Sequence, residues 1–178
     1  MIGCRNPIQQ PFSSIHYAMN ELDVIKNPNS ILRKVSEPIS EADLLSAKTQ
    51  SLIDNMIETM KVENGVGLAA PQVGEHLRII IAETNEGPRA FINPKIISKS
   101  EKIVSGEEGC LSVPGVYGIV KRHKKVKIKA KNRQGEPVRM SAGGLLSVIF
   151  QHEIDHLDGI LFIDKAEKII KGESASAI

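Results

Sequence analysis

The chain has 178 residues, of which 41% are hydrophobic and 25% charged, an ordinary composition for one soluble globular domain. Aromatic residues make up only 3% and Trp is absent, which argues against a protein that stacks bases on an aromatic platform. The net charge of +2 is too small to indicate DNA or another nucleic acid as a partner. The sequence contains no run of about 20 apolar residues, so we expect no membrane-spanning helix.

The N-terminal residues 1–21 contain prolines and serines but no apolar segment, so we do not expect a secretory signal peptide. We interpret them as a flexible extension. Cys4 and Cys110 are too few for a disulfide framework, which favours a reducing compartment.

The first predicted helix covers residues 41–63. Ser40 followed by Asp43 is a start signal of the capping-box type, and Asn64-Gly65 supplies the stop. Between them, apolar side chains recur at helical spacing: Leu45, Leu52, Ile53, Met56, Ile57 and Met60.

The middle of the chain changes to short, β-branched or alternating segments at residues 78–82, 90–92 and 125–131, which we predict to be strands. A turn at residues 132–135 returns the chain through Val138 and Met140. A second helix is predicted from about residue 144 to residue 157, with Ser141 as its cap. Strands that cluster between helices without regular alternation indicate an α+β fold.

Lysine alternates strictly with apolar residues in 125–131 (KVKIKAK), so one face of this strand is cationic. Together with neighbouring residues it forms a basic strip that has the charge to contact ribosomal RNA. The alternative is a solvated face that resists aggregation. The strip comprises Lys121, Arg122, Lys124, Lys125, Lys127, Lys129 and Lys131.

The strongest chemical signal lies in residues 151–159 (QHEIDHLDG). His152 and His156 are four positions apart on the second predicted helix, so their imidazoles emerge on one face with Cβ atoms about 5–6 Å apart. Two nitrogens at that spacing reach one metal ion at roughly 2.1 Å. Glu153 lies next to His152, where it can accept a proton from a metal-bound water. The alternative is a pair of core histidines, but only five His are present and two take this arrangement.

A third ligand decides the class of metalloprotein. One group of zinc proteases continues the motif to a third His, but position 162 here is Phe. Another group uses a downstream Glu, and Glu167 and Glu173 both lie in or near the C-terminal tail. Upstream, Cys110 is a candidate thiolate ligand at roughly 2.3 Å, although an inert buried Cys is the alternative.

Three segments together resemble the signature motifs of the peptide deformylase family. They are residues 65–72 (GVGLAAPQ), 108–112 (EGCLS) and 151–156 (QHEIDH). The resemblance covers roughly residues 22–165, which we take as the catalytic domain, followed by a tail at 166–178. It implies antiparallel or mixed sheets around a central metal-binding helix, with a further helix near the N-terminus.

The resemblance also implies an activity, the removal of the formyl group from the N-terminal formyl-methionine of new proteins with release of formate. Cys110, His152 and His156 would hold one divalent metal, with a water in the fourth position. The metal would be Fe²⁺ in the most active form, with Zn²⁺, Ni²⁺ or Co²⁺ as substitutes. A metal-bound hydroxide would attack the formyl carbon, with Glu153 as general base.

The remaining roles implied by the resemblance concern the oxyanion and the substrate. The side-chain amide of Gln72 and the backbone N–H of Leu111 would stabilise the developing oxyanion. Five residues would line the substrate groove or the methionine pocket: Val66, Gly67, Gly109, Val148 and Ile149.

The expected partners are N-formylmethionyl nascent peptides, with a ribosome contact through the basic strip and with no DNA or membrane. We expect a monomer, in the cytoplasm of a bacterium or in an organelle of a eukaryote. Two alternatives stay open at this point. One is an endopeptidase built on the two histidines and Glu153, and the other is a non-enzymatic protein that binds ribosomes or nascent chains through the basic strip.

Overall fold

The computed structural model describes residues 20–171, so Cys4 and most of the predicted N-terminal extension lie outside the described residues. Three α-helices and eight strands lie within this range. The helices are α1 (Glu41–Leu44), α2 (Ala47–Val62) and α3 (Leu145–Leu157). The strands are β1 (Gly67–Ala69), β2 (Ile79–Thr84), β3 (Gly87–Lys99), β4 (Ile103–Gly109), β5 (Val116–His123), β6 (Lys125–Lys131), β7 (Pro137–Gly143) and β8 (Ala166–Lys171).

The strands form two sheets, and α3 contacts strands of both. The larger sheet has the order β1-β2-β3-β6-β7 and the smaller has the order β4-β5-β8. Every pairing between these strands is antiparallel. The prediction of an α+β fold with sheets around a central helix is therefore confirmed.

The region predicted as one helix over 41–63 is two helices. Ser40 caps α1 by accepting a hydrogen bond from the Asp43 N–H at 3.1 Å, and Ser46 caps α2 by accepting one from the Thr49 N–H at 3.3 Å. Because the Ser46 hydroxyl satisfies a free backbone donor, it starts a new helix where the apolar spacing suggested continuity. Leu45, at the break, is exposed.

The central helix α3 begins at Leu145, with Gly144 as its N-terminal cap at φ 59°, a backbone conformation that favours glycine. Ser141 was predicted as the cap, but it belongs to β7, which runs on through Gly143. The helix is buried on several sides because it packs against the inner face of the larger sheet. Ile149 and Phe150 of α3 lie in one hydrophobic cluster with Ile80, Phe91 and Ile128 of the larger sheet.

The alternation predicted for residues 125–131 is confirmed in β6, where Val126, Ile128 and Ala130 are buried. One member of the predicted basic strip was assigned wrongly, because Arg122 is buried and bonded to carboxylates. The first part of the predicted C-terminal tail, residues 166–178, is a strand. Residues 166–171 form β8, which pairs with β5 and completes the smaller sheet.

Candidate metal centre

Three side chains from distant parts of the chain converge at the centre of the fold. Cys110 follows directly after β4, and His152 and His156 project from α3. One sulfur and one nitrogen from each histidine lie within 4.8 Å of one another, and the three residues are only 1–3% exposed. The structure therefore brings together the three residues that the sequence predicts as metal ligands.

The polar atoms of this cluster fit a divalent metal. The Sγ atom of Cys110 lies 3.2 Å from Nε2 of His156. His152 uses Nδ1 in a hydrogen bond, and its buried Nε2 has no partner among the described residues. Buried polar atoms without partners are costly, and a thiolate with two imidazoles is a donor set suited to zinc or iron. The donor set and the unpartnered nitrogen together fit a metal ion.

A chain of buried charges orients His152. Its Nδ1 lies 2.9 Å from Oε2 of Glu108, and Arg122 in turn donates to both oxygens of Glu108 at 2.7 and 2.9 Å. Arg122 also donates to Asp155 at 2.6 Å, and Lys165 closes the chain at the surface by donating to Asp155 at 2.7 Å. Such a carboxylate partner sets the orientation and tautomer of a metal-binding histidine.

The surroundings of Glu108 and Arg122 favour the ionised form of each side chain. Burial works to raise the pKa of Glu108, but the hydrogen bonds from Arg122 and His152 outweigh it and lower the pKa to about 2. Burial likewise opposes the charge of Arg122, yet its carboxylate partners raise its pKa. An ionised Glu108 is the acceptor that Nδ1–H of His152 needs, and with that bond in place Nε2 is the nitrogen that would face a metal ion.

Sequence reasoning missed the roles of Glu108, Arg122, Asp155 and Phe162. Glu108 and Asp155 lay inside the quoted motifs but were given no role, and Arg122 was read as part of a basic strip. Phe162, noted only because it is not a histidine, stacks on His152 with ring centroids 6.2 Å apart. Strand alternation is the signal that could have identified Arg122, because in β5 it points to the opposite face from its neighbours Lys121 and His123.

Glu153 is buried beside β1 and is held close to the metal-ligand cluster. A Cβ at Gly67 would lie 2.9 Å from Cδ of Glu153, so only glycine leaves room for this carboxylate. Oε2 of Glu153 has no partner among the described residues. Burial raises the pKa of Glu153 to about 7, which suits a group that must both take up and release a proton near neutral pH.

Gln72 and Leu111 are both neighbours of Cys110. Oε1 of Gln72 accepts from the Ala69 N–H at 2.8 Å, which directs Nε2 toward Ser112 Oγ at 3.2 Å and Cys110 Sγ at 3.5 Å. The carbonyl of Leu111 accepts from Nζ of Lys26 at 2.9 Å, a contact that the sequence did not predict. An amide donor with a fixed orientation therefore points to Cys110, and the neighbouring Leu111 backbone is held by Lys26.

The residues predicted to contact substrate lie in two places. Gly109 ends β4 opposite Tyr117, beside a groove of about 190 Å³ whose lining includes Cys110 and Leu111. Val66, Val148 and Ile149 lie together in the cluster between β1 and α3, where Ile149 is buried and the two valines are partly buried. Gly67 lies against Glu153, as described above.

An α+β domain in which a cysteine, two histidines and a neighbouring buried glutamate converge has the arrangement expected of a metal-dependent hydrolase. A family model described as polypeptide deformylase matches residues 21–171. A peptide deformylase of Halothermothrix orenii is 52% identical over 153 residues, which cover 85% of this chain and 97% of the relative. One of Desulfitobacterium hafniense is 47% identical over 145 residues, which cover 82% of this chain and 94% of the relative.

Solved structures agree with this result. The class I type b peptide deformylase of Acinetobacter baumannii has a TM-score of 0.79 at 42% identity, with 82% of this chain and 99% of that chain covered. The peptide deformylase of Thermotoga maritima has a TM-score of 0.79 at 37% identity, with 84% and 99% covered. A second structure of the Acinetobacter baumannii protein, with 39% identity, a TM-score of 0.79 and coverage of 83% and 99%, is bound to Met-Ala-Ser.

The chain belongs to the polypeptide deformylase family. It is a metal-dependent hydrolase that removes the formyl group from the N-terminus of newly synthesised proteins. This result decides against the endopeptidase and against the non-enzymatic binding protein. Among residues 20–171, no helix has the length and apolar character needed to cross a membrane.

Proposed function

We propose that Cys110, His152 and His156 hold the divalent metal of this deformylase, and that Glu153 is its general base and then its acid. The observation that carries this proposal is the convergence of the three ligand atoms within 4.8 Å of one another, in a buried cluster beside an unpartnered carboxylate oxygen. A divalent metal held there supplies Lewis acidity, which makes water nucleophilic at neutral pH.

Glu153 takes the proton of the attacking water and delivers it to the nitrogen of the departing amine. Its raised pKa, near 7, matches both halves of that transfer, since a base much weaker would not accept the proton and one much stronger would not release it. The C–N bond of the formamide breaks as the nitrogen is protonated. The products are formate and the free N-terminus of the peptide.

Gln72 and Leu111 stabilise the negative charge that develops on the formyl oxygen. Nε2 of Gln72 is aimed into the cluster because Oε1 is held by the Ala69 N–H. The Leu111 N–H is the second donor, on a peptide segment held by Lys26. Donors whose directions are set before substrate arrives cost no reorganisation during the reaction.

The substrate that this site takes is a formyl-methionyl peptide of a nascent chain. Gly67 and Gly109 let the peptide backbone approach, while Val66, Val148 and Ile149 form an apolar wall for the methionine side chain. Methionine suits such a wall because its flexible thioether fills irregular spaces. The Met-Ala-Ser bound by the Acinetobacter baumannii relative supports this choice of substrate.

The native metal in this proposal is Fe²⁺, with Zn²⁺, Ni²⁺ or Co²⁺ able to substitute. Thiolate and imidazole ligands suit these ions, but a thiolate beside ferrous iron is open to oxidation. Activity of the iron form should therefore decay in air, while the nickel form persists. Equal aerobic half-lives for the two forms would contradict the proposal.

The cellular setting follows from the substrate. Nascent chains are made in the cytoplasm of bacteria, to which the curated relatives belong, so we place the enzyme there, or in an organelle of a eukaryote. We propose a monomer, since one chain supplies all three candidate metal ligands and the site needs no residue from a partner subunit. Contact with the ribosome is made through the basic strip, without Arg122, whose side chain is buried.

Metal stoichiometry tests the ligand assignment separately from catalysis. Single substitutions Cys110→Ala, His152→Ala and His156→Ala should each lose bound metal after dialysis, as measured by elemental analysis. Glu153→Ala should retain metal like the wild type, since its carboxylate is not a ligand. Full metal content in any of the three ligand variants would overturn the assignment of that residue.

A further inference from the structure

The outer face of β6 belongs to a wider cationic surface that the sequence did not reveal. Strand pairing places Lys95 of β3 and Arg139 of β7 directly opposite Lys129 of β6, one on each side. Paired residues in an antiparallel sheet point to the same face, so the three cations form one row across three strands. Lys127 lies in the next row on this face, between Ser98 of β3 and Ser141 of β7.

The charges in this row are not balanced by the protein. Lys131, at the end of β6, contacts Glu41. In contrast, Lys95, Lys127, Lys129 and Arg139 are exposed and make no ion pair with any other residue in the range 20–171. Like charges directly opposite one another destabilise a sheet, so this arrangement carries a cost that an anionic partner would remove.

Protection against aggregation does not explain the lysines of β6, although Arg139 lies on β7, an edge strand of the sheet. Lysines serve that purpose on edge strands, whose unpaired backbone groups invite pairing with another chain. Strand β6 is interior to the larger sheet, with β3 on one side and β7 on the other. Its backbone groups are already paired, so its lysines have no edge to protect.

A shallow hollow of about 430 Å³ adjoins the cations and adds neutral donors. Its lining includes Ser98, Lys125, Lys127, Ser141 and Gly143. Ammonium groups beside serine hydroxyls are typical contacts to phosphate oxygens and sugars. The aromatic residues described here are Phe91, Phe150 and Phe162, which are buried, and Tyr117, which lies in the other sheet, so this face offers no base-stacking platform.

We propose that the outer face of β3, β6 and β7 binds the sugar–phosphate backbone of RNA. Lys95, Lys127, Lys129 and Arg139 neutralise phosphates, and Ser98 and Ser141 hydrogen-bond to the backbone between them. Contact is independent of base sequence because it is made to phosphates and sugars, which carry no sequence information directly. The inference rests on the proposed ribosome contact and states its chemistry, but it does not depend on the proposed catalytic roles.

RNA bound here leaves the active site open. The inner face of β6 packs through Val126 and Ile128 against α3, the helix that carries both histidines. The cationic face therefore lies on the side of the sheet away from α3. A docked enzyme can receive a nascent chain while its outer face stays on RNA.

The test uses the full-length, nickel-loaded enzyme and a fluorescein-labelled oligouridine, followed by fluorescence anisotropy. The double variant Lys127→Glu, Lys129→Glu should bind at least about tenfold more weakly at low salt. Between about 50 and 200 mM salt, the slope of log K against log salt should become shallower by roughly 1.4, the value for two phosphate contacts on a single strand. Formate release from a short formyl-methionyl peptide should be unchanged.

The matched control carries the same charge change elsewhere. Lys48 on α2 and Lys168 on β8 are exposed and lie outside the cationic face, so Lys48→Glu, Lys168→Glu should bind RNA as the wild type does. The inference would be overturned if the control variant lost as much RNA affinity as the double variant. It would also be overturned if the wild type bound phosphatidylserine vesicles through Lys127 and Lys129 but did not bind RNA. Formate release by the same wild-type enzyme is measured in parallel. If the catalytic proposal is wrong, the wild type would bind RNA but release no formate.

Discussion

The backbone of Gly67 lies directly against the carboxylate of Glu153. A Cβ at position 67 would lie 2.9 Å from Cδ of Glu153 and 3.0 Å from its Cγ. At this point the backbone of strand β1 packs directly on a side chain of helix α3. The position of the proposed general base is therefore set by a residue that has no side chain.

Adding one methyl group at this contact should damage catalysis without removing the metal. Gly67→Ala must push Glu153 away or shift β1, so we expect kcat to fall on the order of 10²-fold, as when a general base is misplaced. Metal content and fold, measured by elemental analysis and circular dichroism, should stay as in the wild type. Gly106→Ala is the matched control because a Cβ there meets nothing within 4 Å. Wild-type kcat in Gly67→Ala would contradict the role given to this contact.

The buried pair Glu108–Arg122 should control metal affinity. Glu108→Gln weakens the acceptor that orients His152 and removes a negative charge that balances Arg122. We therefore expect the metal dissociation constant to rise about 10–100-fold. Competition with a chromophoric chelator measures this directly. Glu167→Gln removes a carboxylate that pairs with Lys121 at the surface, and it should leave the constant unchanged. Equal affinity in Glu108→Gln and the wild type would show that Glu108 does not tune the site.

Gln72→Ala removes the proposed side-chain donor to the oxyanion. Loss of one such donor costs on the order of 10²–10³ in kcat, and KM should change little because the donor acts in the transition state. Ser112→Ala removes only the hydroxyl that accepts a hydrogen bond from Nε2 of Gln72, so its effect on kcat should be much smaller. If both variants lost the same small factor, Gln72 would be a structural residue.

Asp164 should make the folded state sensitive to acid. Burial works to raise its pKa, but hydrogen bonds from Arg33 and from the Leu161 N–H at 2.8 Å outweigh this and lower the pKa below its ordinary 3.8. A group whose folded pKa is lowered stabilises the protein at higher pH, and this contribution is lost as pH falls through the folded pKa.

The stability difference between the wild type and Asp164→Asn should therefore be largest near neutral pH and shrink below about pH 4. Urea unfolding across this range gives the free energies needed. Because Asp164 is largely exposed, the difference should be modest, about 1 kcal/mol or less. A difference that grows as the pH falls would have the wrong sign for this explanation.

Features encoded by short sequence patterns were predictable. The four-residue spacing of His152 and His156 needs only a helix to bring both imidazoles to one face, and the alternation in β6 needs only a strand. Both were found as expected. No local pattern ties Cys110 to the histidines; its residue type made it a candidate ligand, and the resemblance to a family, carried by three motifs, favoured that over an inert buried cysteine.

Features that depend on tertiary neighbours were not predictable from one sequence. Arg122 looks like its exposed neighbour Lys121, and only the approach of β4 and α3 makes it a buried partner of Glu108 and Asp155. The row of Lys95, Lys129 and Arg139 exists only because of the strand register. Likewise, residues 166–171 carry little strand signal of their own and gain order by pairing with β5.

Formate release is the most direct test of the central claim that Glu153 acts on a formyl group beside a metal held by Cys110, His152 and His156. Wild type and Glu153→Ala would be loaded with nickel to equal content and given a short formyl-methionyl peptide or its acetyl analogue. We predict formate from the wild type, poor use of the acetyl peptide, and loss of activity in Glu153→Ala with its metal retained. Wild-type rates of formate release from metal-loaded Glu153→Ala would contradict the claim.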